Sequence, residues 1–340
     1  MLHGAFPRRT HDLRTAHSTL RRMQHALLVE HLSKRYAGHT AVDDLSLAVP
    51  AGTIYGILGP NGAGKSTTIR MVMNIIVRDT GRVSLLGRDP ETDRDVLRRV
   101  GYLPEERGLY RKMRVLDVIV FFARLKGVPA DVARREGERW IERMGLGEWR
   151  NARVETLSKG MQQKVQFITT VVHEPDLLIL DEPASGLDPV NQEVQRDTIL
   201  PTRASGKTVL FSTHNMAQAE ELCDHVCIIA GGRKVLDGPL REVRRANRTR
   251  RYRFAFDDPP AALEGELRRG GRFGHRVAAG DGWEVELPED AEPRELLAAL
   301  NALDTPLARF ERVEPPLHEI FVARGGDAST PQRRPEPARV

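Results

Sequence analysis

The sequence predicts an α/β fold followed by a smaller α+β unit, and three observations carry that reading. Residues 57–67 read Ile-Leu-Gly-Pro-Asn-Gly-Ala-Gly-Lys-Ser-Thr, a full match to G-x-x-x-x-G-K-[ST]. The match lies between an apolar strand-like run, 53–58, and a helix-like run, 67–73. Two further apolar runs, 177–180 and 208–211, end in polar groups, Asp181-Glu182 and His214. Continuous apolar runs are the pattern of buried parallel strands, and open α/β sheets bind ligands where such strands end. Past an arginine-rich stretch near 241–251 the pattern changes to short strands and helices of mixed order.

The glycine-rich loop has a specific chemistry. Gly59, Gly62 and Gly64 lack Cβ atoms, so the backbone can curl and turn its N–H groups inward. The following helix presents free N–H groups and its positive dipole end to a phosphate. Lys65 would reach the β- and γ-phosphates of a nucleotide, and the Ser66 hydroxyl would ligate Mg²⁺. Pro60, Asn61, Ala63 and Thr67 complete the cradle.

Composition narrows the class. A chain of 340 residues has a prior of about two domains. Its hydrophobic fraction of 40% suffices for a sizeable core, and a net charge of +5 is modest for this length. No apolar run approaches the roughly 18 residues that cross a bilayer. The most apolar stretches, 118–123 and 177–180, are too short, and the N-terminus lacks the apolar core of a signal peptide. Two cysteines, Cys223 and Cys227, make neither a disulfide framework nor a zinc set, which points to the cytoplasm. Residues 1–23 are polar, rich in arginine and histidine and without periodicity, so they are expected to be disordered, with Met23 a candidate translation start. His3, His11 and His17 are too irregularly spaced, and lack the carboxylate cluster, for a metal tract.

Taken in order, 26–58 reads as strands and turns. Tyr36 lies some twenty residues before the phosphate loop and is either a stacking surface for adenine or an ordinary strand aromatic. Strands are expected at 81–86 and 100–104 with a charged helix between them. Residues 114–144 read as helical, with Val115, Val118, Ile119, Phe122 and Leu125 on one face. A hairpin is expected over 226–237, turning at Gly231-Gly232. The arginine-rich residues 241–250 read as a linker. Beyond it, strand 252–256, helix 261–269, strands 272–278 and 282–287, helix 292–302 and strand 306–313 follow the β-α-β-β-α-β order of a ferredoxin-like arrangement. A last helix is expected over 317–323 and a disordered tail over 326–340.

With these residues placed, the chain resembles the ATP-binding subunits of ABC transporters over roughly 24–240. Leu157-Ser158-Lys159-Gly160-Met161-Gln162-Gln163 is similar to that family's signature motif, with Lys159 and Met161 in place of the usual Gly and Gln. Leu178-Ile179-Leu180-Asp181-Glu182 resembles its Walker B strand, Ser185-Gly186-Leu187-Asp188 its D-loop, and Ser212-Thr213-His214 its switch histidine. Gly101-Tyr102-Leu103-Pro104-Glu105 resembles its Q-loop, with Glu105 where glutamine is usual. Tyr36 falls where the family places its adenine-stacking aromatic.

The resemblance implies a P-loop NTPase of the ABC cassette type. Its RecA-like core would carry an antiparallel β subdomain and a helical subdomain at about 114–165, with a small C-terminal domain at 251–325. It implies ATP and Mg²⁺ as cofactors, with Asp181, Ser66 and Glu105 near the metal, Glu182 as general base and His214 beside the γ-phosphate. Ser158 and Gly160 open a helix whose N–H groups form a second anion site, and in the family this site touches ATP bound by the opposite subunit. The resemblance also implies that Asp188 of the D-loop takes part in cofactor binding. Two chains, alike or different, would then sandwich two ATP molecules. A separate integral permease would form the pore, with the ATPase peripheral on the inner face of the cell membrane. The residues 101–109 resemble an exporter-type subgroup related to sodium-extrusion systems that also carries a small C-terminal domain.

Two other readings are weighed against this one. A soluble ABC ATPase of translation usually carries two cassettes, and repair types carry zinc modules or long coiled coils that the stretch between Lys65 and Asp181 cannot hold. A nucleic-acid binder could use the arginines of 241–251, but no aromatic stacking platform accompanies them.

Overall fold

The computed structural model describes residues 25–106, 108–183, 199–258, 276–279, 282–303 and 305–324. The expectations for 1–23, 326–340, Asp188 and the helix at 261–269 lie outside these residues. Contacts divide the chain into two units, the second spanning Arg241–Gly325.

The first unit holds two sheets. Strands β1 (His25–Tyr36), β2 (His39–Pro50) and β4 (Thr80–Leu85) form an antiparallel sheet in the order β2-β1-β4. The second sheet runs β5 (Val100–Leu103), β6 (Leu177–Asp181), β7 (Thr208–Thr213), β3 (Ile54–Leu58), β8 (His225–Ala230), β9 (Arg233–Pro239), parallel except for β9. Every residue of β3, β6 and β7 is buried, which is why these strands read as unbroken apolar runs rather than alternating ones. Truncating one of them, as in Ile57→Ala, should cost about 2–5 kcal/mol.

Register decides what meets at the sheet's upper edge. Leu58 pairs with Thr213 and Asp181 with Ser212. The chain therefore leaves β3, β6 and β7 side by side at one level, and the glycine loop, Asp181-Glu182 and His214 become neighbours. Helix α1 (Lys65–Val72) follows the loop and buries Ile69, Met71 and Val72 in the core shared with the sheet.

Between β5 and β6 lie three helices, α2 (Val115–Leu125), α3 (Ala130–Arg143) and α4 (Lys159–Val171). The stretch expected as one helical run, 114–144, is broken by Gly127, which takes φ 91°, and by Pro129 at the cap of α3. Gly137 lets α3 approach α2: a Cβ there would lie 3.1 Å from Ile119 Cγ2. Leu125 is 59% exposed, contrary to its place in the expected apolar face, and Leu116 is buried instead. The charged helix expected between β4 and β5 is a short 3-10 turn, Arg94–Arg99, capped by the Asp93 side chain.

Helix α5 (Met216–Leu222) precedes β8 in the first unit, and α6 (Leu240–Ala246) follows β9 where the second unit begins. The expected linker is thus largely helical. Its arginines are used within the unit: Arg244 and Arg248 pair with Glu314. Strands β10 (Arg251–Phe256), β11 (Arg276–Ala279), β12 (Gly282–Glu286) and β13 (Leu307–Arg312) form an antiparallel sheet in the order β11-β12-β10-β13. Tyr252, Phe254 and Phe256 point to one face, where Leu296 and Leu300 of α7 (Pro293–Asn301) complete a separate core. The last helix, α8 (Leu317–Ala323), is tied to β10 by the Arg251–Glu319 pair.

Candidate nucleotide site

The loop after β3 is fixed by glycine at two points. Gly59 takes φ 152° and a Cβ there would lie 2.1 Å from the Ile229 carbonyl. Gly64 takes φ 103° at the cap of α1, where a Cβ would lie 2.4 Å from the Ala41 carbonyl. No other residue fits either contact without moving the backbone. Asn61 and Gly62 form the exposed crest, Pro60, Ser66 and Thr67 are half-buried, and Ala63, Gly64 and Lys65 are buried.

Lys65 is 5% exposed, and its Nζ donates to the carbonyls of Gly59 (2.8 Å) and Pro60 (3.2 Å). The same Nζ lies 3.1 Å from Glu182 Oε1, an ion pair whose angles do not make a hydrogen bond. The other oxygen, Glu182 Oε2, lies 2.9 Å from His214 Nδ1. The Glu182 carboxylate thus bridges the lysine of the loop and the histidine beyond β7. Glu182 takes φ 47°, a left-handed backbone unusual for a residue with a Cβ, which costs on the order of 1 kcal/mol or more and turns it off the strand end.

Asp181 is 1% exposed. Its Oδ1 accepts from Ser66 Oγ at 3.1 Å and from Ser212 Oγ at 2.5 Å. Its Oδ2 is buried with no hydrogen-bond partner among the described residues. Burial lifts the Asp181 carboxyl above the ordinary carboxylate range, against the two serine hydrogen bonds and with help from Glu182. Two hard oxygen donors, the free Oδ2 and the Ser66 hydroxyl, stand where a divalent cation would remove that penalty. The residues present fit Mg²⁺.

Ser212 was not singled out from the sequence, although it stands two residues before His214. It takes part in both halves of the site: its Oγ donates to Asp181 and accepts from the Glu182 backbone N–H at 3.0 Å. Tyr102 was also missed. It sits opposite Ile179 in the β5–β6 register, on the face that Asp181 shares. Its phenol is pushed up to about 12, chiefly by burial and then by the Asp181 charge, with Arg70 opposing and Glu105 adding a little.

The remaining candidates lie apart from this cluster. Glu105 is exposed, and among the described residues no hydrogen bond or ion pair joins it to Ser66, Asp181 or Glu182. Tyr36 ends β1 with 49% exposure, and Lys34 Nζ lies 5.6 Å from its ring centroid. Ser158 caps α4, its Oγ accepting from the Met161 N–H at 3.2 Å. Ser158 and Lys159 are exposed and Gly160 is half-buried, so this helix start faces outward.

This geometry can hold a triphosphate, place a metal on its terminal phosphates and present a carboxylate to an attacking water. Residues 42–185 match the ABC transporter family, and residues 238–324 match the C-terminal domain of DrrA1-3-like ATP-binding proteins. An uncharacterised ABC transporter ATP-binding protein, YhaQ of Bacillus subtilis, is 40% identical over 88% of this chain and 98% of its own length. The daunorubicin/doxorubicin resistance ATP-binding protein DrrA of Streptomyces peucetius is 32% identical over 87% of this chain and 91% of its own. Among solved structures, an ATP-binding subunit of an ABC transporter superposes with a TM-score of 0.61 at 30% identity, covering 65% of this chain and 92% of its own. The cbiO1 subunit of Clostridium perfringens, part of the ABC transporter complex cbiONQ, superposes with a TM-score of 0.57 at 27% identity, covering 65% of this chain and 90% of its own. The chain belongs to the ATP-binding proteins of ABC transporters, and it is an ATPase of that family.

Proposed function

We propose that this chain is the energy-supplying subunit of an exporter, working with a separate membrane permease and binding two Mg-ATP between two ATPase subunits. The bridged carboxylate carries the reading: Glu182 lies between Lys65 and His214, one residue past an Asp181 whose second oxygen is buried and unpartnered.

In this reading Ser66 and Asp181 hold Mg²⁺, which supplies charge neutralisation at the terminal phosphates. The N–H groups of the loop and of α1 orient the phosphates, and Lys65 exchanges its two carbonyl partners for phosphate oxygens. Glu182 takes a proton from the attacking water, and His214 holds the carboxylate from its other side. Ser212 fixes Asp181 and Glu182 relative to one another. Tyr36 stacks on the adenine. Ser158, Gly160 and Asp188 complete the site of the opposite subunit, and Glu105 links the metal site to the permease through the helices that follow it.

Export is supported by the relatives. Besides the drug-resistance protein, the Nod factor export ATP-binding protein I of Ralstonia nicotianae is 38% identical over 64% of this chain and 68% of its own length. Among the described residues no helix is long and apolar enough to cross a membrane. In this reading a separate permease forms the pore and this chain sits peripherally on the inner face. A nucleic-acid role is disfavoured because Arg244, Arg248 and Arg251 are held by Glu314 and Glu319 rather than free for phosphates.

The test is detergent extraction and affinity purification from membranes of the source cell. An integral protein should co-purify in fixed ratio and raise ATP turnover. Recovery of nucleic acid, or of no integral protein, would contradict the reading.

A further inference from the structure

A cavity of about 160 Å³ lies where α3 meets the end of α4, the turn into β6 and the residues that lead into β7. Strand β6 enters here at Leu177 and leaves at Asp181, so the cavity and the nucleotide groups stand at opposite ends of the same strand. From Leu178, which lines the cavity, to Asp181 is about 10 Å along the strand.

The lining is apolar below and basic at the rim. Val171, Pro175 and Leu178 are all buried and form the floor. Trp140 of α3 is half-buried and supplies a flat wall. Arg143 follows three residues later on the same face of α3, and its guanidinium carbon lies 4.9 Å from the Trp140 ring centroid. Lys207 reaches the cavity from the residue before β7. The acids nearby are already matched: Glu174 lies 4.0 Å from Arg139, and Asp176 pairs with Arg99 at 2.7 Å. Among the described residues neither Arg143 nor Lys207 has an acidic partner, so the rim carries two unmatched cations.

We propose that this cavity is a second ligand site, for a small aromatic carboxylate, separate from the nucleotide site. A few placed polar groups over an apolar floor are the usual make-up of a small-molecule site. A cavity of about 150 Å³ accommodates a single benzene-sized ring, so the ligand is one ring and not a nucleotide. The ring packs on the floor against Trp140, and its carboxylate takes the Arg143 guanidinium and the Lys207 ammonium in charge-assisted hydrogen bonds. Inorganic phosphate would meet the cations but leave the floor and the indole uncovered. The site does not rest on the exporter reading, and its failure would leave that reading as it stands.

The test is calorimetric titration of the full chain with sodium benzoate, in the presence and absence of ATP. Benzoate should bind with a Kd on the order of 1 mM or tighter, one molecule per chain, and equally well with ATP bound. Benzyl alcohol, which keeps the ring and loses the charge, and acetate, which keeps the charge and loses the ring, should each bind at least tenfold more weakly. Arg143→Ala should weaken benzoate at least tenfold and Lys207→Ala about fivefold, with ATP binding by both variants unchanged. Benzoate bound equally by parent and Arg143→Ala would overturn the proposal, as would benzyl alcohol bound as tightly as benzoate. Displacement of benzoate by ATP would move the binding to the nucleotide site and overturn it as well. So would a protein that binds ATP and takes up no benzoate at ten times the expected Kd.

Discussion

The chain carries two helix starts that the proposed function assigns to phosphate binding, and they are built differently. The loop at Gly59–Ser66 is confined from behind by the Ile229 and Ala41 carbonyls and from within by the buried Lys65–Glu182 pair. The start of α4 at Ser158 is open, capped only by its own hydroxyl, and faces outward. The first site gathers its loop, lysine, serine hydroxyl and two carboxylates within one chain. The second has its donors and Lys159 at an exposed helix start, and in the proposed function a second surface supplies the rest. In the proposed function, one chain contains a site for ATP and half of a site that another chain completes.

The largest expected effect is on the closed site. Glu182→Gln should lower hydrolysis by about 10²–10⁴ and leave ATP bound, because the amide keeps the size and can still accept from His214 but cannot take a proton. Single-turnover hydrolysis and nucleotide titration together check this. A turnover near that of the parent would remove Glu182 from the role of base.

The open site should respond differently. Gly160→Asp places a carboxylate in the first turn of α4, where it favours the helix dipole by about 0.3–1 kcal/mol and replaces a poor helix former. The variant should therefore be as stable as the parent or more so, and bind ATP as a monomer with the same affinity. It should nevertheless hydrolyse at least tenfold more slowly, because the new charge meets the triphosphate of the other subunit. A loss of thermal stability instead would give Gly160 a merely structural role.

The smallest effect is on stability. The folded-state pKa of Asp181 is raised by burial. A raised carboxyl favours the folded state fully only below its unfolded pKa, and that contribution is lost as pH rises through the folded value. Above that folded value the metal-free protein carries a buried charge that opposes folding. Asp181→Asn should raise the melting temperature of the metal-free protein at pH 7, with the gain fading as pH falls into the carboxylate range, and should remove the stabilisation by Mg²⁺. A melting temperature that falls on substitution would mean that the serine hydrogen bonds outweigh burial.

Much of this was legible in the sequence for one reason. Gly59, Gly64, Lys65, Asp181, Glu182 and His214 sit at the ends of unbroken apolar runs, and parallel register brings three such ends to one level. What was missed depends on contacts across strands. Ser212 is an ordinary strand-end serine until the pairing with Asp181 is known. Tyr102 reads as a strand aromatic until its register opposite Ile179 places it on the Asp181 face. The arginines of 241–250 read as a linker because a helix of only seven residues has too little periodicity to stand out, and their partner Glu314 lies about 70 residues away in the sequence. Leu125 was assigned to the buried face by spacing alone, and the turn at Gly127 left it outside.

The central claim is that the open helix start completes the closed site of a second chain. Size-exclusion chromatography with light scattering tests it on the slow Glu182→Gln protein in Mg-ATP. The account predicts a dimer that forms only with ATP, that disappears when Lys65→Ala is added, and that disappears equally when Gly160→Asp is added on a chain still binding ATP. A Glu182→Gln protein that stays monomeric with ATP bound, or a dimer indifferent to Gly160→Asp, would contradict it.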